Sequence, residues 1–308
     1  MSIITAPQRT EHFLKFFEDS YPLYSKAINN NFENHPQAFT SLAEVMLGWA
    51  EALLGKGYLE ILANGYIHFV NDVNRSQFEY EIEKKYKNKS YKDVYASVYD
   101  NAEYMALYHW GVFTTTFAWE HHLELYQYFV EHFTNRLGDS GKVLDLGSGS
   151  GVWSLLMQIN KKKWLSTGID ISDYSVGMAQ KLTAASGFAD SADFIVGDAL
   201  QYKAQEKVDA VISCFLLEHL EEPEKLFVNA AENINEGGMA FITAALTAAE
   251  IDHIYEFRSE SELVALAEKS GLRVISLLSE SPRSNPRRNF FLPRSMALVL
   301  QKKANPIW

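Results

Sequence analysis

The sequence predicts an α/β protein. Residues 139–308 are expected to form an open, mostly parallel sheet with helices on both faces, and residues 1–138 a mostly helical region before it. Three observations carry this. From about residue 139, short apolar runs alternate with stretches at helical spacing, the pattern of strand–helix–strand units. One run, Val143-Leu144-Asp145-Leu146, leads at once into Gly147-Ser148-Gly149-Ser150-Gly151, and a helical pattern starts at Val152. Before residue 139, apolar and aromatic residues recur at helical spacing and not in alternation.

In the N-terminal region, Leu42, Val45, Met46, Trp49 and Leu53 mark one face of a helix over 40–54, which Gly55 and Gly57 break. Residues 58–73 fit a second helix. Asn64-Gly65 is also a hairpin signal, but the strict alternation a hairpin needs is missing on both sides. Residues 77–89 are charged and read as a solvated helix surface. Residues 94–133 are rich in aromatics, most of them expected in the core. The segment Tyr108-His109-Trp110-Gly111-Val112-Phe113-Thr114-Thr115-Thr116 stands apart, because it is not periodic and contains glycine. His121 and His122 are poorly placed as a metal pair, since adjacent helical residues point in different directions.

In the C-terminal part the expected order is strand 143–146, helix 152–162, strand 164–171, helix 173–186, strand 193–196, strand 208–214, helix 223–234, strand 239–245, helix 259–270, strand 272–279 and strand 295–301. Ser172 and Asp173 suit an N-cap and Gly187 a C-cap. Gly237-Gly238 should stop the helix before strand five, and Gly271 should end the last helix.

The glycine turn lets the backbone approach a ligand closely, and the helix it opens aims free N–H groups at the same spot. A dinucleotide turn reads G-x-G-x-x-G and binds pyrophosphate. Here the spacing is G-x-G-x-G, with Asp145 two residues before the first glycine. A carboxylate there repels a pyrophosphate and attracts an ammonium, which points to S-adenosylmethionine and away from a nicotinamide cofactor. The net charge of −11 disfavours broad electrostatic binding of nucleic acid. The single cysteine, Cys214, rules out an internal disulfide and fits a reducing compartment. No apolar run approaches the roughly 20 residues of a membrane span, so a cytoplasmic protein without a membrane partner is expected.

Residues Val143 to Gly151 resemble the first motif of the class I S-adenosylmethionine-dependent methyltransferases. Gly168-Ile169-Asp170-Ile171-Ser172 and Gly197-Asp198-Ala199 look like the second and third signatures of that family, and Val208 to Leu220 like the fourth. The resemblance is specific over about 141–245, looser beyond, and vague before residue 100. It implies a seven-stranded Rossmann-like sheet whose seventh strand inserts antiparallel between the fifth and sixth. It implies S-adenosylmethionine as cofactor, held by Asp145, Gly147, Ser148, Gly149 and Gly151, with Asp170 on the ribose hydroxyls, Ile171 packing on the adenine, Asp198 and Ala199 at its edge, and Cys214 as a small wall residue. The segment around Tyr108 looks like a cap that closes over the cofactor, Tyr108 and Trp110 holding the cation by cation–π contact. The N-terminal region, 1–138, then serves as a cap, a substrate region and a place for a homodimer contact.

His219 is the general-base candidate, because imidazole titrates near neutral pH. Phe113, His253, Tyr255 and Arg258 are the candidate substrate contacts. Arg283, Arg287, Arg288 and Arg294 form a basic loop that could meet an anionic substrate. No metal is expected. No Asn/Asp-Pro-Pro-Tyr is present, which disfavours planar amide or exocyclic amino nitrogens as acceptors. The expected function is methyl transfer to a small molecule in the biosynthesis of a specialised metabolite, at oxygen or nitrogen. Carbon methylation, a protein or RNA acceptor, and a non-catalytic cofactor-binding partner are the alternatives.

Overall fold

The computed structural model of the chain describes residues 8–281 and 292–303. Helices α1 (Gln8–Ser20), α2 (Pro22–Asn34), α3 (Pro36–Leu54) and α4 (Tyr58–Glu83) come first. Pro22 and Pro36 sit in first turns, where no backbone N–H is needed. α4 runs straight through Asn64-Gly65 and ends where Lys84 turns left-handed, at φ 56°. A short helix α5 (Tyr91–Val94) opens with a capping box of Ser90 and Asp93 and passes into a π-turn, Tyr95–Tyr99. Then come α6 (Ala102–Ala118), α7 (Glu120–Tyr128) and a second π-turn, Phe129–Phe133.

The segment 108–116, read from the sequence as a non-periodic cap, lies inside α6. Its periodicity is missing because nearly every side of this half of the helix is buried, as expected of a helix without a solvent face. Its glycine is a contact point. A Cβ at Gly111 would stand 2.5 Å from the Phe69 Cβ and 2.8 Å from the Gly65 carbonyl, so α4 and α6 cross backbone to backbone. The threonines return their hydroxyls to the helix: Thr114 Oγ1 donates to the Trp110 carbonyl at 2.7 Å and Thr116 Oγ1 to that of Val112 at 3.0 Å.

The sheet follows: β1 (Ser140–Leu146), α8 (Val152–Asn160), β2 (Lys163–Asp170), α9 (Asp173–Ser186), β3 (Ala192–Val196), β4 (Val208–Ser213), α10 (Glu224–Asn233), β5 (Ile234–Leu246), α11 (Glu260–Lys269), β6 (Leu272–Glu280) and β7 (Arg294–Lys302). The strand order is β3-β2-β1-β4-β5-β7-β6, with β7 antiparallel to both neighbours and the other pairings parallel. This is the Rossmann-like sheet that the resemblance implies. Ser172 caps α9 by accepting from the Ser175 N–H, and Gly187 ends it at φ 81°. β5 differs from expectation, because it begins at Ile234 and passes through Gly237-Gly238. Its pairing with β4 steps from Val208↔Ile234 to Ala210↔Met239, so the glycines bulge within a strand and do not precede it.

Alternate residues divide the sheet between two layers. Leu144, Leu146, Val211 and Ile242 pack with Leu226 and Phe227 of α10 and Leu263 of α11. Val143, Ala210, Ile212 and Phe241 pack with Leu125, Phe129 and Phe133, so α7 and the turn after it lie on the sheet itself. The earlier helices share a further core with Val152, Leu155 and Leu156 of α8 and Val176 and Leu182 of α9. Gly111→Val would force a branched side chain into the α4–α6 crossing and is expected to cost about 1–3 kcal/mol, as overpacking does. Denaturant unfolding checks this.

Candidate functional site

Parallel strands end on one edge of the sheet, and there the backbone leaves the plane and side chains converge. Asp145 stands near the end of β1, Asp170 ends β2, and Asp198 follows β3. The turn after β1 places Gly147 and Gly149 at φ 72° and 53°, a region that favours glycine. Gly149 N–H donates to Asp170 Oδ2 at 2.8 Å, and Ser172 N–H to Oδ1 at 2.9 Å. Each Asp170 oxygen keeps a lone pair for a further donor, such as a ribose hydroxyl. The Ser148 hydroxyl is buried without a partner, and no atom lies within 4 Å of where a Gly149 Cβ would be. Both features leave the turn ready for a polar ligand. Asp198 accepts from Leu200 N–H at 2.8 Å and Gln201 Nε2 at 2.6 Å.

Asp145 is 1% exposed and accepts from Ser154 Oγ at 2.8 Å. Burial pushes its carboxyl up to about 7, against the pull of that hydrogen bond. Burial also raises Asp170, though its two backbone N–H donors oppose the shift, and it raises the Cys214 thiol well above its usual range.

A cavity of about 1650 Å³ spreads from these strand ends. Asp145, Gly147, Ser148, Gly149, Asp170, Ile171, Asp198, Ala199 and Cys214 line one end of it. The helical region supplies another wall, with Phe69, Tyr91, Tyr99, Tyr108, His109 and Trp119. His109 Nε2 meets Ser175 Oγ at 3.0 Å, and burial lowers this imidazole to about 4. Burial likewise lowers His121 to about 4 and His122 further, so both are neutral imidazoles facing the cavity.

At the end of β4, His219 Nδ1 lies 3.3 Å from Asp252 Oδ2, 3.3 Å from the Asp252 carbonyl and 3.4 Å from the Tyr99 hydroxyl. Two of these oxygens only accept, so Nδ1 carries a hydrogen. Tyr99 OH donates to Asp252 Oδ2 at 3.1 Å. His253 packs edge-on against His219 with ring centres 4.9 Å apart, and its Nδ1–H donates to the Ala248 carbonyl at 2.7 Å. Burial lowers His253 to about 3. Glu218 and Glu250 also line this end.

Several residues expected at the site lie elsewhere. Trp110 and Phe113 are buried in the core of α6 and do not line the cavity, because the helix turns them towards α1 and α3. Gly151 is not at the cavity either. A Cβ there would stand 2.6 Å from the Phe194 ring, so this glycine lets α8 pack closely on the sheet layer. Tyr255 donates to Glu262 Oε1 at 3.0 Å and packs on Phe257. Arg258 pairs with Glu256 at 2.7 Å on the surface. Neither lines the cavity. Arg294 does, but its guanidinium is held by Glu260 at 2.7 Å and by the Leu292 and Arg258 carbonyls at 3.1 Å each. Arg283, Arg287 and Arg288 lie outside the described residues. Tyr99, Glu218, Glu250 and Asp252 were not singled out by sequence reasoning, since nothing in a loop without periodicity says which side chains share a side.

Comparison with known proteins gives concordant findings. The family described as a methyltransferase domain matches residues 119–277. A ubiquinone biosynthesis O-methyltransferase of Cupriavidus pinatubonensis is 28% identical over 155 residues, 44% of this chain and 61% of that protein. An ajmaline N-methyltransferase of Rauvolfia serpentina is 32% identical over 122 residues, 39% of this chain and 38% of that protein. The matches thus span less than two thirds of either relative. Among solved structures, the 4+2 cyclase SpnF superposes with a TM-score of 0.50 at 17% identity, over 61% of this chain and 83% of that one. A Galdieria sulphuraria protein assigned as a sarcosine dimethylglycine methyltransferase gives 0.50 at 16%, over 59% and 86%. At this identity the two structures show the shared fold.

The Asp145 carboxyl holds its proton more tightly in the folded chain than in the unfolded one. Its contribution to stability is therefore present at acid pH and is lost as pH rises towards about 7. Asp145→Asn, which mimics the protonated form, is expected to raise the Tm of the ligand-free protein at pH 8, to raise it less at pH 5 and to leave it nearly unchanged only below the ordinary carboxylate range. Thermal unfolding at the two pH values checks this.

Proposed function

The chain belongs to the methyltransferase-domain family, and on that premise we propose that it passes the methyl group of S-adenosylmethionine to a small molecule held in the cavity. One observation carries the reading. The strand-end carboxylates and the helical wall enclose a single space of about 1650 Å³. A site for one drug-sized ligand takes roughly 300–1,000 Å³, so this space has room for the cofactor and an acceptor side by side. The buried Ser148 hydroxyl and the open space above Gly149 suit the amino-acid end of the cofactor. Asp145 suits its ammonium, Asp170 its ribose, and Ile171, Asp198 and Ala199 its adenine.

S-adenosylmethionine, when bound, supplies a methyl group already activated by its sulfonium. What the chain must add is alignment, a dry site and a place for a proton. Tyr99, Tyr108 and Trp119 wall the acceptor end with aromatic surface. His219 Nε2 receives the proton that an oxygen or nitrogen acceptor gives up. Asp252 and Tyr99 fix the ring by holding Nδ1. Asp252 is a positioning residue, since its own carboxylate does not line the cavity. Acceptors at oxygen and nitrogen both fit this arrangement, in line with the activities named for the two curated relatives. We read the acceptor as a specialised metabolite, and the aromatic lining of Tyr99, Tyr108 and Trp119 supports this reading.

Incubation with methyl-labelled S-adenosylmethionine and an extract of the source organism tests the reading. Label is expected in the small-molecule fraction, and label in protein or RNA alone would overturn the acceptor class. Asp170→Ala is expected to weaken S-adenosylhomocysteine binding at least about tenfold, through loss of charge-assisted hydrogen bonds, as calorimetry would show. His219→Ala is expected to lower kcat about 100-fold, the usual scale of base catalysis, with cofactor affinity unchanged. Asp252→Ala should lower kcat less, and Asp252→Glu should restore part of it.

A further inference from the structure

The acceptor end of the cavity gathers carboxyl groups to which the protein gives no Arg or Lys partner among the described residues. Glu218 is 1% exposed. Backbone N–H groups hold its carboxylate, that of Ala245 among them, yet its Oε2 has no partner. Asp252 is fully buried behind it, and its Oδ1 also has no partner. Glu250 faces the cavity within 3.8 Å of His253 Nε2, an imidazole kept neutral by burial. Among the described residues lining the cavity, the sole Arg or Lys side chain is Arg294, and its guanidinium is already committed. A buried carboxylate without a cation is costly, and burial duly pushes Glu218 up to about 7 and Glu250 well above its usual range. Aromatic rings share the space: Tyr99 and Tyr108 line it with Glu218 and Glu250, and Tyr104 stacks on Tyr108 at 6.2 Å. Carboxylates and aromatic rings around one space are what an organic ammonium binds to.

We propose that the methyl acceptor is a cationic amine, bound as its ammonium against Glu218 and Glu250, and that methylation falls on its nitrogen. This deepens the methyltransferase reading and rests on it. In the reacting complex the ammonium gives one proton to His219 Nε2. The freed nitrogen lone pair forms the bond to the methyl carbon as the carbon–sulfur bond breaks, and that bond's electron pair stays on sulfur. The products are the N-methylammonium, S-adenosylhomocysteine and a protonated His219, which loses its proton to solvent. The methylated nitrogen keeps its positive charge, whereas an alcohol or phenol acceptor would leave the carboxylates uncompensated throughout.

The test uses the full chain saturated with S-adenosylhomocysteine and two isosteric pairs as probes, tryptamine with tryptophol and phenethylamine with phenethyl alcohol. Calorimetry is expected to show each amine bound at least about tenfold more tightly than its alcohol, the difference a charged partner makes. Glu218→Gln and Glu250→Gln are each expected to remove most of that gap while S-adenosylhomocysteine affinity stays at the wild-type value, which shows that the variants are folded. Alcohols bound as tightly as amines, no binding of any of the four, or a gap that survives both substitutions would overturn the proposal. So would saturable Mn²⁺ binding that displaces the amines and is lost in Glu218→Gln, because Glu218, His219 and His253 would then be a metal site. Failure of the wild-type protein to bind S-adenosylhomocysteine would instead overturn the methyltransferase reading.

Discussion

The hydrogen bond from the Gly149 N–H to the Asp170 carboxylate, 2.8 Å long, ties the turn after β1 to the end of β2. The Gly147 and Ser148 N–H groups hold the turn to the same strand, donating to the Ile169 carbonyl at 2.8 and 3.0 Å. With these bonds, the turn and the strand end form one rigid cradle, and the Ser172 N–H fixes the same carboxylate from the other side. The backbone of the turn is bound by the group that remains free to bind a ligand. Asp145 stands one strand over, anchored by Ser154 on α8, so three elements of the sheet layer converge on a few ångströms of space.

Most of this was legible in the sequence because each part rests on a local rule. Asp145, Asp170 and Asp198 follow strands that are short apolar runs. Ser172 and Gly187 bracket α9 because one accepts an N–H and the other tolerates a positive φ. The failures are long-range. Gly111 helped to set 108–116 apart as a cap, because a sequence does not show that Gly65, 46 residues earlier, stands against it across a helix crossing. Trp110 and Phe113 were misplaced with it: a helix buried nearly all round has no polar face from which to read direction. Gly237-Gly238 read as a stop, whereas their lack of side chains lets β5 bulge past β4. Tyr255 and Arg258 were chosen for their chemistry, and their partners, Glu262 and Glu256, turn both away.

The electrostatics of the two ends of the cavity differ in kind. At the strand ends, Asp170 and Asp198 are each held by N–H donors that leave lone pairs exposed to the cavity. At the His219 end, Glu218 and Asp252 each keep one oxygen with no donor at all. The first arrangement suits a neutral polar ligand such as a ribose. The second calls for positive charge from outside the chain.

The loop over residues 247–256 is fastened to α4 and to the segment that follows it. Gln77 bonds to the backbone of Thr247 and Ala249, Tyr86 to the Ala248 carbonyl, Asn88 to that of Ile251, and Tyr80 to Glu256. Two regions some 170 residues apart in sequence thus share one shape. A change in α4 can therefore reshape this loop without touching a residue of the glycine turn. The sheet half grafted onto other helices would keep the glycine turn and lose the braces that shape this loop.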